Sequence, residues 1–273
     1  MRPPALRSPA LLALLTPLLV SLAPARAYDA PAWLPVFDPL TGPRSALRKD
    51  WIGMRAVPPD TEILVMAGHA DTQGLASAGT SGAAVALAGA APMQGGINDE
   101  LYWNLRTASL VVDLGRQRGL RIRLYVPPFR TIRDGGDSRT NWSVGERHVQ
   151  AGGYAMEIHY DAYGPDGRGS GVIPAIDRPF NRIDESLARA FGAYPWAYRG
   201  GLGGPRRGIS LLEIGKLEGT LEASLRDPQS REASLHQIAT RVVDALEAGL
   251  RPRPDAVGSV PRGPGRPASS GGE

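Results

Sequence analysis

The sequence predicts an α/β domain with a mixed, largely parallel central sheet and helices on both faces. Short apolar runs alternate with stretches of helical periodicity between residues 61 and 250, and this alternation is typical of a parallel sheet. Hydrophobic residues make up 42% and charged residues 21% of the 273-residue chain, which is ordinary for a globular protein. Gly and Pro concentrate at the two ends and in a few loops, so the middle of the chain supplies the core.

The predicted strands place three polar side chains at their ends. The first strand, 62–67, is an apolar run that leads directly into Gly68 and His69. The other strands are predicted at 121–126, 154–159, 172–176 and 208–213. His69, His159 and Glu213 each stand at or just beyond the end of a strand. Since ligands collect at the carboxyl ends of strands in such sheets, these residues are candidates for a site.

Helical periodicity fills the intervals between strands. Asn98 or Asp99 can cap a helix that runs to about Arg118. Asp227 and Pro228 fit the cap and first turn of the longest helix, which carries an apolar stripe along one face. Two shorter helices are predicted at about 139–150 and 181–191.

The first 27 residues have the pattern of a signal peptide. Arginines at positions 2 and 7 precede an apolar run, and Ala25-Arg26-Ala27 gives the small-x-small end that signal peptidase needs. We therefore expect the mature chain to begin at Tyr28 and to be periplasmic or secreted. No later segment is long and apolar enough to predict a membrane span.

Three other segments flank or interrupt the main domain, which is predicted to span 61–250. Residues 28–60 carry many Pro and Trp residues with little periodicity and predict an irregular arm. Residues 72–98 are rich in Gly, Ala and Ser and predict a long loop or insertion. Residues 251–273 are mostly Pro, Gly, Ser and Arg, which cannot build a core, and predict a disordered tail.

Charge and cysteine content exclude several classes of protein. The formal net charge of +4 resides in the ends, because residues 28–250 hold 24 basic and 25 acidic residues. Net charge therefore does not support nucleic-acid binding or an anionic lipid surface as a function. The chain has no cysteine, so disulfides, thiolate nucleophiles and Cys-type zinc sites are excluded. Any metal must be held by carboxylates and by the four histidines.

Those residues could form a hydrolytic zinc site, which commonly has two His and one carboxylate as ligands, an open fourth position and a nearby carboxylate base. His69 and His159 offer the imidazoles, and Glu100 stands in the first turn of a helix where it could point into the same cleft. Each has a plainer interpretation. A lone strand-end histidine is more often structural, and a glutamate in a first helical turn often complements the helix dipole.

The order of motifs along the chain adds to this interpretation. They are Gly68-His69-x-Asp71, Glu100-x-x-x-Asn104-Leu105, Glu157-Ile158-His159-Tyr160-Asp161-Ala162 and Leu211-Leu212-Glu213-Ile214-Gly215. Together they resemble the zinc-dependent N-acetylmuramoyl-L-alanine amidases of the family typified by the bacterial cell-division amidases. The resemblance covers about 61–250, nearly the whole predicted domain.

The resemblance implies that His69, Glu100 and His159 bind Zn²⁺ and that Glu213 is the catalytic base and acid. It further implies hydrolysis of the amide between N-acetylmuramic acid and L-alanine, with peptidoglycan as the substrate. Some features depart from the family. The interval between the first two ligands is lengthened by residues 72–98, and Asp161 replaces the usual Asn. These departures leave open the muropeptide preference and whether the insertion covers the cleft.

Alternatives from other classes remain at this point. One is another zinc peptidase or amidohydrolase of similar fold, although 69–72 (His-Ala-Asp-Thr) lacks the close His-x-x-Glu pair of a carboxypeptidase. Another is a catalytically inactive wall-binding homologue, and a third is a structural or adhesion protein that uses its arm and tail. The sequence also leaves open whether a partner protein activates the chain. We expect His148 to be solvated and assign His236 no function.

Overall fold

The computed structural model describes residues 37–251 apart from 77, 177 and 178. The predicted signal peptide, with its cleavage point, and the tail beyond Arg251 lie outside the described residues. Among the described helices, none is both long and apolar enough to cross a membrane.

Strands and helices alternate along the described chain. The strands are β1 (Phe37–Asp38), β2 (Gly42–Pro43), β3 (Ile63–Ala67), β4 (Ile122–Tyr125), β5 (Tyr154–Asp161), β6 (Gly171–Ile173) and β7 (Ile209–Lys216). The helices are α1 (Ala83–Ala86), α2 (Asp99–Gln117), α3 (Asn141–Gln150), α4 (Arg182–Phe191), α5 (Gly219–Arg226) and α6 (Arg231–Leu250).

Five strands form the central sheet in the order β4-β3-β5-β7-β6. The strands β4, β3, β5 and β7 run parallel to one another. β6 is the edge strand and pairs antiparallel with β7. The predicted mixed, largely parallel sheet is confirmed. Because the four parallel strands run in one direction, their carboxyl ends meet at one edge, and the loops that follow β3, β5 and β7 start there.

Helices cover both faces of the sheet, as predicted. The buried apolar side chains form two hydrophobic cores, a larger and a smaller one, and alternate residues of β5 pack into different cores. Met156, Ile158 and Tyr160 lie in the larger core, and Ala155 lies in the smaller core. The larger core contains the apolar stripes of α2, α4 and α6, and α3 contacts β3, β5 and β7 across the smaller one. The side chains of residues 157 and 159 therefore lie on the face of the sheet that the smaller hydrophobic core covers.

The predicted helix over about 98–118 is confirmed with its cap. Asn98 is the N-cap of α2, and its side chain accepts a hydrogen bond of 2.9 Å from the backbone N–H of Leu101. Arg118 is the C-cap, and Gly119 has a φ of 82° that ends the helix. This cap fixes where the first turn begins, and so where the residues of that turn point.

The start predicted for the longest helix is wrong. α6 begins at Arg231 with Ser230 at the N-cap position, and α5 is a separate helix that the sequence did not indicate. The carboxylate of Asp227 accepts hydrogen bonds from the backbone N–H groups of Gln229 (3.2 Å) and Ser230 (3.0 Å). The Asp227 side chain thus stabilises a turn instead of capping a helix that begins at Pro228, and α6 starts three residues later than predicted.

The described part of the arm contacts the sheet domain. β1 and β2 form a small antiparallel pair. The ring of Trp51 is buried, and its Nε1 donates a hydrogen bond of 2.8 Å to the carbonyl oxygen of Tyr194. This contact attaches residues near 51 to the loop that follows α4.

A close helix contact gives the first prediction. A Cβ added at Gly249 of α6 would lie 2.5 Å from the Cα of Ile183 in α4. We expect Gly249→Ala to lower the free energy of unfolding by about 1–3 kcal/mol, the usual cost of overpacking, although alanine favours helices. Gly135→Ala is the control, because a Cβ there meets no atom within 4 Å. Equal urea midpoints for the two variants would contradict the packing assigned to Gly249.

Candidate metal centre

Strand register brings the predicted site residues to one edge of the sheet. His69 follows β3 after Gly68, and His159 in β5 is the direct partner of Glu213 in β7. Paired residues of neighbouring strands point to the same face, so His159 and Glu213 lie side by side. The strands continue beyond the predicted ends at 159 and 213, to Asp161 in β5 and Lys216 in β7, with a shift of register after His159.

His69, Glu100 and His159 form a compact cluster in which one potential ligand atom from each lies within 4.8 Å of the others. Oε1 of Glu100 is 3.2 Å from Nε2 of His69 and 3.2 Å from Nδ1 of His159. The two imidazole rings meet edge to face with centroids 4.9 Å apart. Glu100 and His159 are buried, whereas His69 is partly exposed. One carboxylate oxygen thus faces both imidazoles, as in a site that could hold a metal.

The backbone around His69 is shaped to the cluster. His69 has a φ of 61°, in the left-handed region that non-glycine residues rarely adopt. A Cβ at Gly68 would overlap the ring of His159, so only glycine allows that close approach. The carbonyl oxygen of Gly68 accepts a hydrogen bond of 3.0 Å from the side chain of Asn104. Backbone strain of this kind persists where the surroundings over-determine it.

The insertion contributes directly to the position of Glu100. The backbone N–H of Thr80 donates a hydrogen bond of 2.8 Å to Oε2 of Glu100. Gly79, with a φ of 95°, passes so close that a Cβ there would lie 2.7 Å from Oε2 of Glu100 and 3.0 Å from Cδ2 of His69. Oε1 of Glu100 faces the histidines while Oε2 is held by the insertion, so the carboxylate is fixed at both oxygens.

The side chain of Gln73 connects the insertion to the residue that follows β3 and to the start of α2. Its Nε2 donates hydrogen bonds to the carbonyl oxygens of His69 (3.1 Å) and Ala78 (3.0 Å), and its Oε1 accepts one from the backbone N–H of Asn98 (3.0 Å). The buried amide thus links the residue at the end of β3 to the cap of α2. These contacts set the spacing between His69 and the helix that carries Glu100.

Glu213 lies beside the cluster without being one of its members. Its Oε2 is buried and has no hydrogen-bond partner within the part of the chain that the structure describes. Burial raises the pKa of Glu213 to about 8, and the charges of Asp161 and Glu100 act in the same direction, while His159 and Arg199 oppose it. This carboxyl group is therefore able to exchange a proton near neutral pH.

A second buried glutamate contacts His159. Oε2 of Glu157 lies 3.4 Å from Nε2 of His159, on the side of the ring away from Glu100. Burial alone would lower the pKa of His159, but its hydrogen bonds to Glu100 and Glu157 outweigh burial and raise the pKa well above its usual range. Burial would raise the pKa of Glu100, and the two histidines lower it instead.

Sequence reasoning missed several of these contributors. Thr80 and Gln73 act through hydrogen bonds in a segment without periodicity, and Glu157 entered only as part of a motif. Arg199 has a φ of 52°, and within the described residues it and His69 are the non-glycine residues with positive φ. No sequence signal marks such a conformation outside glycine.

The expectation of a solvated His148 is wrong. Its ring is buried, and Nε2 lies 2.9 Å from the carbonyl oxygen of Glu62, at the start of β3. Helix α3 turns this residue toward the sheet, so a polar neighbourhood in sequence did not imply exposure. His236 is exposed in α6. Neither belongs to the cluster.

The close approach of Gly79 yields a second prediction. We expect Gly79→Ala to lower the affinity of the cluster for a divalent metal ion by about 10-fold or more, the usual scale for disturbing the groups that orient a ligand. Gly96→Ala is the matched control. That glycine also has a positive φ (84°) in the same insertion, but a Cβ there meets nothing within 4 Å. Competition with a chelator measures the affinities of both variants. Equal losses would mean that the backbone strain of alanine at a positive φ is responsible, and not the contact with Glu100 and His69.

Comparisons with known proteins give matches among solved structures. No family model matches the chain, and no curated protein does. The chain is similar to the catalytic domain of CwlV, an N-acetylmuramoyl-L-alanine amidase from Bacillus (Paenibacillus) polymyxa var. colistinus, at 18% identity and a TM-score of 0.45, covering 68% of this chain and 96% of that one.

Two further solved structures are similar to it. The apo N-acetylmuramyl-L-alanine amidase from Mycobacterium abscessus matches at 19% identity and a TM-score of 0.45, covering 70% of this chain and 99% of that one. The catalytic domain of an endolysin targeting Clostridia difficile matches at 20% identity and a TM-score of 0.43, covering 68% and 96%.

Proposed function

We propose that this chain is a zinc-dependent hydrolase that cleaves the amide between N-acetylmuramic acid and L-alanine in peptidoglycan. The observation that carries the proposal is the convergence of two imidazoles and one carboxylate, His69, His159 and Glu100, beside a separate glutamate whose Oε2 is buried. The substrate follows from the four sequence motifs that resemble the amidase family. The site residues of those motifs are the ones that come together in the fold.

The donor set fits zinc. Two neutral imidazoles and a carboxylate suit an ion of borderline softness, and three protein ligands leave a fourth position for water or substrate. The chemistry that zinc supplies in such a site is polarisation of the amide carbonyl and a lowered pKa for water. His69, Glu100 and His159 would hold the ion. The insertion, through Thr80, holds Glu100 in place.

Glu213 is the proposed proton carrier. Its carboxylate takes a proton from the attacking water and passes it to the amine nitrogen of the leaving L-alanine, which must be protonated to depart. Oε2 of Glu213 is free to do this because it makes no hydrogen bond within the described residues. A pKa raised to about 8 by burial suits a group that both accepts and returns a proton.

This arrangement supports a hydrolase over an inactive wall-binding homologue. A binding protein has no need for a glutamate that keeps one carboxylate oxygen buried without a hydrogen bond, since burying such an atom costs free energy. Glu213 is in that state beside His159. Another zinc peptidase or amidohydrolase would use the same residues, and activity on purified peptidoglycan separates it from an amidase.

We further propose that the protein acts outside the cytoplasm, in the periplasm or as a secreted enzyme, since peptidoglycan lies there. The support is the order of basic, apolar and Ala-Arg-Ala segments in residues 1–27. Mass spectrometry of the native protein should find Tyr28 at or near its N-terminus. A mature cytoplasmic chain that begins at Met1 would refute this export.

The role of Glu213 is tested by separating activity from metal content. We expect Glu213→Gln to keep the fold and one zinc per chain but to release soluble stem peptides from peptidoglycan at least about 100-fold more slowly, the usual scale for losing a general acid or base. His69→Ala and His159→Ala are the contrast, because each should lose the zinc as well.

Three results would count against these assignments. Activity like the wild type in Glu213→Gln would remove its proposed role. Loss of zinc in that variant would make Glu213 a ligand. Full zinc occupancy in both histidine variants would show that the metal is held elsewhere.

A further inference from the structure

Glu157 stands in an unusual place for a charged residue. It lies in the middle of β5, and it is 3% exposed. It precedes His159 by two positions, so both side chains lie on the same face of the sheet. The Glu157 side chain makes one hydrogen bond within the described residues. Its Oε2 accepts this bond from Nε2 of His159, at 3.4 Å.

The surroundings of Glu157 keep water away from it. A Cβ added at Gly204 would lie 3.6 Å from Oε2 of Glu157 and 3.1 Å from Cδ2 of Leu211, so the loop backbone passes directly over this carboxylate. A buried carboxylate is costly unless it is hydrogen-bonded and its charge is compensated. His159 supplies the hydrogen bond, and a positive charge on or beyond that imidazole supplies the compensation.

The two nitrogens of His159 face different carboxylates. Nδ1 points to Oε1 of Glu100, which also faces His69, while Nε2 points to Glu157. Nδ1 is therefore on the side of the three-residue cluster. A neutral imidazole carries one proton, and the nitrogen without the proton is the one that binds a metal.

We propose that Glu157 is a positioning residue: it holds the proton of His159 on Nε2 and so presents the lone pair of Nδ1 to the zinc ion. This inference rests on the proposed zinc site. A carboxylate that accepts a hydrogen bond from the far nitrogen of a metal-binding histidine fixes the tautomer and ring orientation and makes the ligand more basic. Glu157 acts through His159 and touches no reacting atom.

The test compares zinc affinity in variants of the full mature chain. Glu157→Gln and Glu157→Ala should bind zinc about 10–100-fold more weakly than the wild type, the range for removing such a partner of a histidine ligand. Asp184→Asn is the matched control. Asp184 is also a buried carboxylate, but it accepts hydrogen bonds of 2.7 Å from the hydroxyl groups of Tyr154 and Ser210 and lies outside the cluster. Wild-type affinity in both Glu157 variants would overturn the inference.

A measurement on the wild type keeps the inference testable if the variants fail to fold. In zinc-loaded protein with ¹⁵N-labelled histidine, NMR should show the metal on Nδ1 of His159 and a slowly exchanging proton on Nε2. Zinc on Nε2 would overturn the inference and leave the proposed hydrolase intact. A wild-type chain that binds no zinc would overturn both.

Discussion

The register between β5 and β7 is the constraint on which the site depends. His159 is the direct partner of Glu213 in this parallel pair. Because side chains alternate between faces, a slip of one residue would turn Glu213 into the larger core and move Ile214 to the site. The apolar neighbours oppose that slip, since Leu212 and Ile214 are buried in the larger core, whose packing therefore fixes the site register.

Negative charge is the second feature that shapes the site. Glu100, Glu157 and Glu213 surround His159, and burial raises the pKa of Glu213, with Asp161 and Glu100 adding to that effect. So many acidic groups with little access to water would repel each other unless cations offset them. A divalent ion at the histidines would offset them, and the same excess of carboxylates would favour its capture.

The sequence predicted the site better than it predicted the contacts that support it. The predicted order of parallel strands placed His69, His159 and Glu213 on the same side of the sheet, and a cap motif placed Glu100 in a first helical turn, because local periodicity and capping fix these positions. The strands themselves run further than predicted, to Asp161 and Lys216. Thr80 reaches Glu100 through a backbone hydrogen bond between residues 20 positions apart. Contacts of this kind depend on tertiary structure, and neither periodicity nor composition encodes them. The late start of α6 was missed for a related reason, because a side-chain turn competed with the cap.

The insertion that holds Glu100 is itself held by the far end of the chain. Both carboxylate oxygens of Glu222 accept from Ala84, and Arg226 pairs with Asp99, the neighbour of Glu100. All four site residues precede α5 in the chain. A chain that is cut before Gly219 would therefore carry the whole set of chemical groups without the contacts that anchor their support. Truncation near the carboxyl end of the domain would thus weaken the site without removing any of its residues.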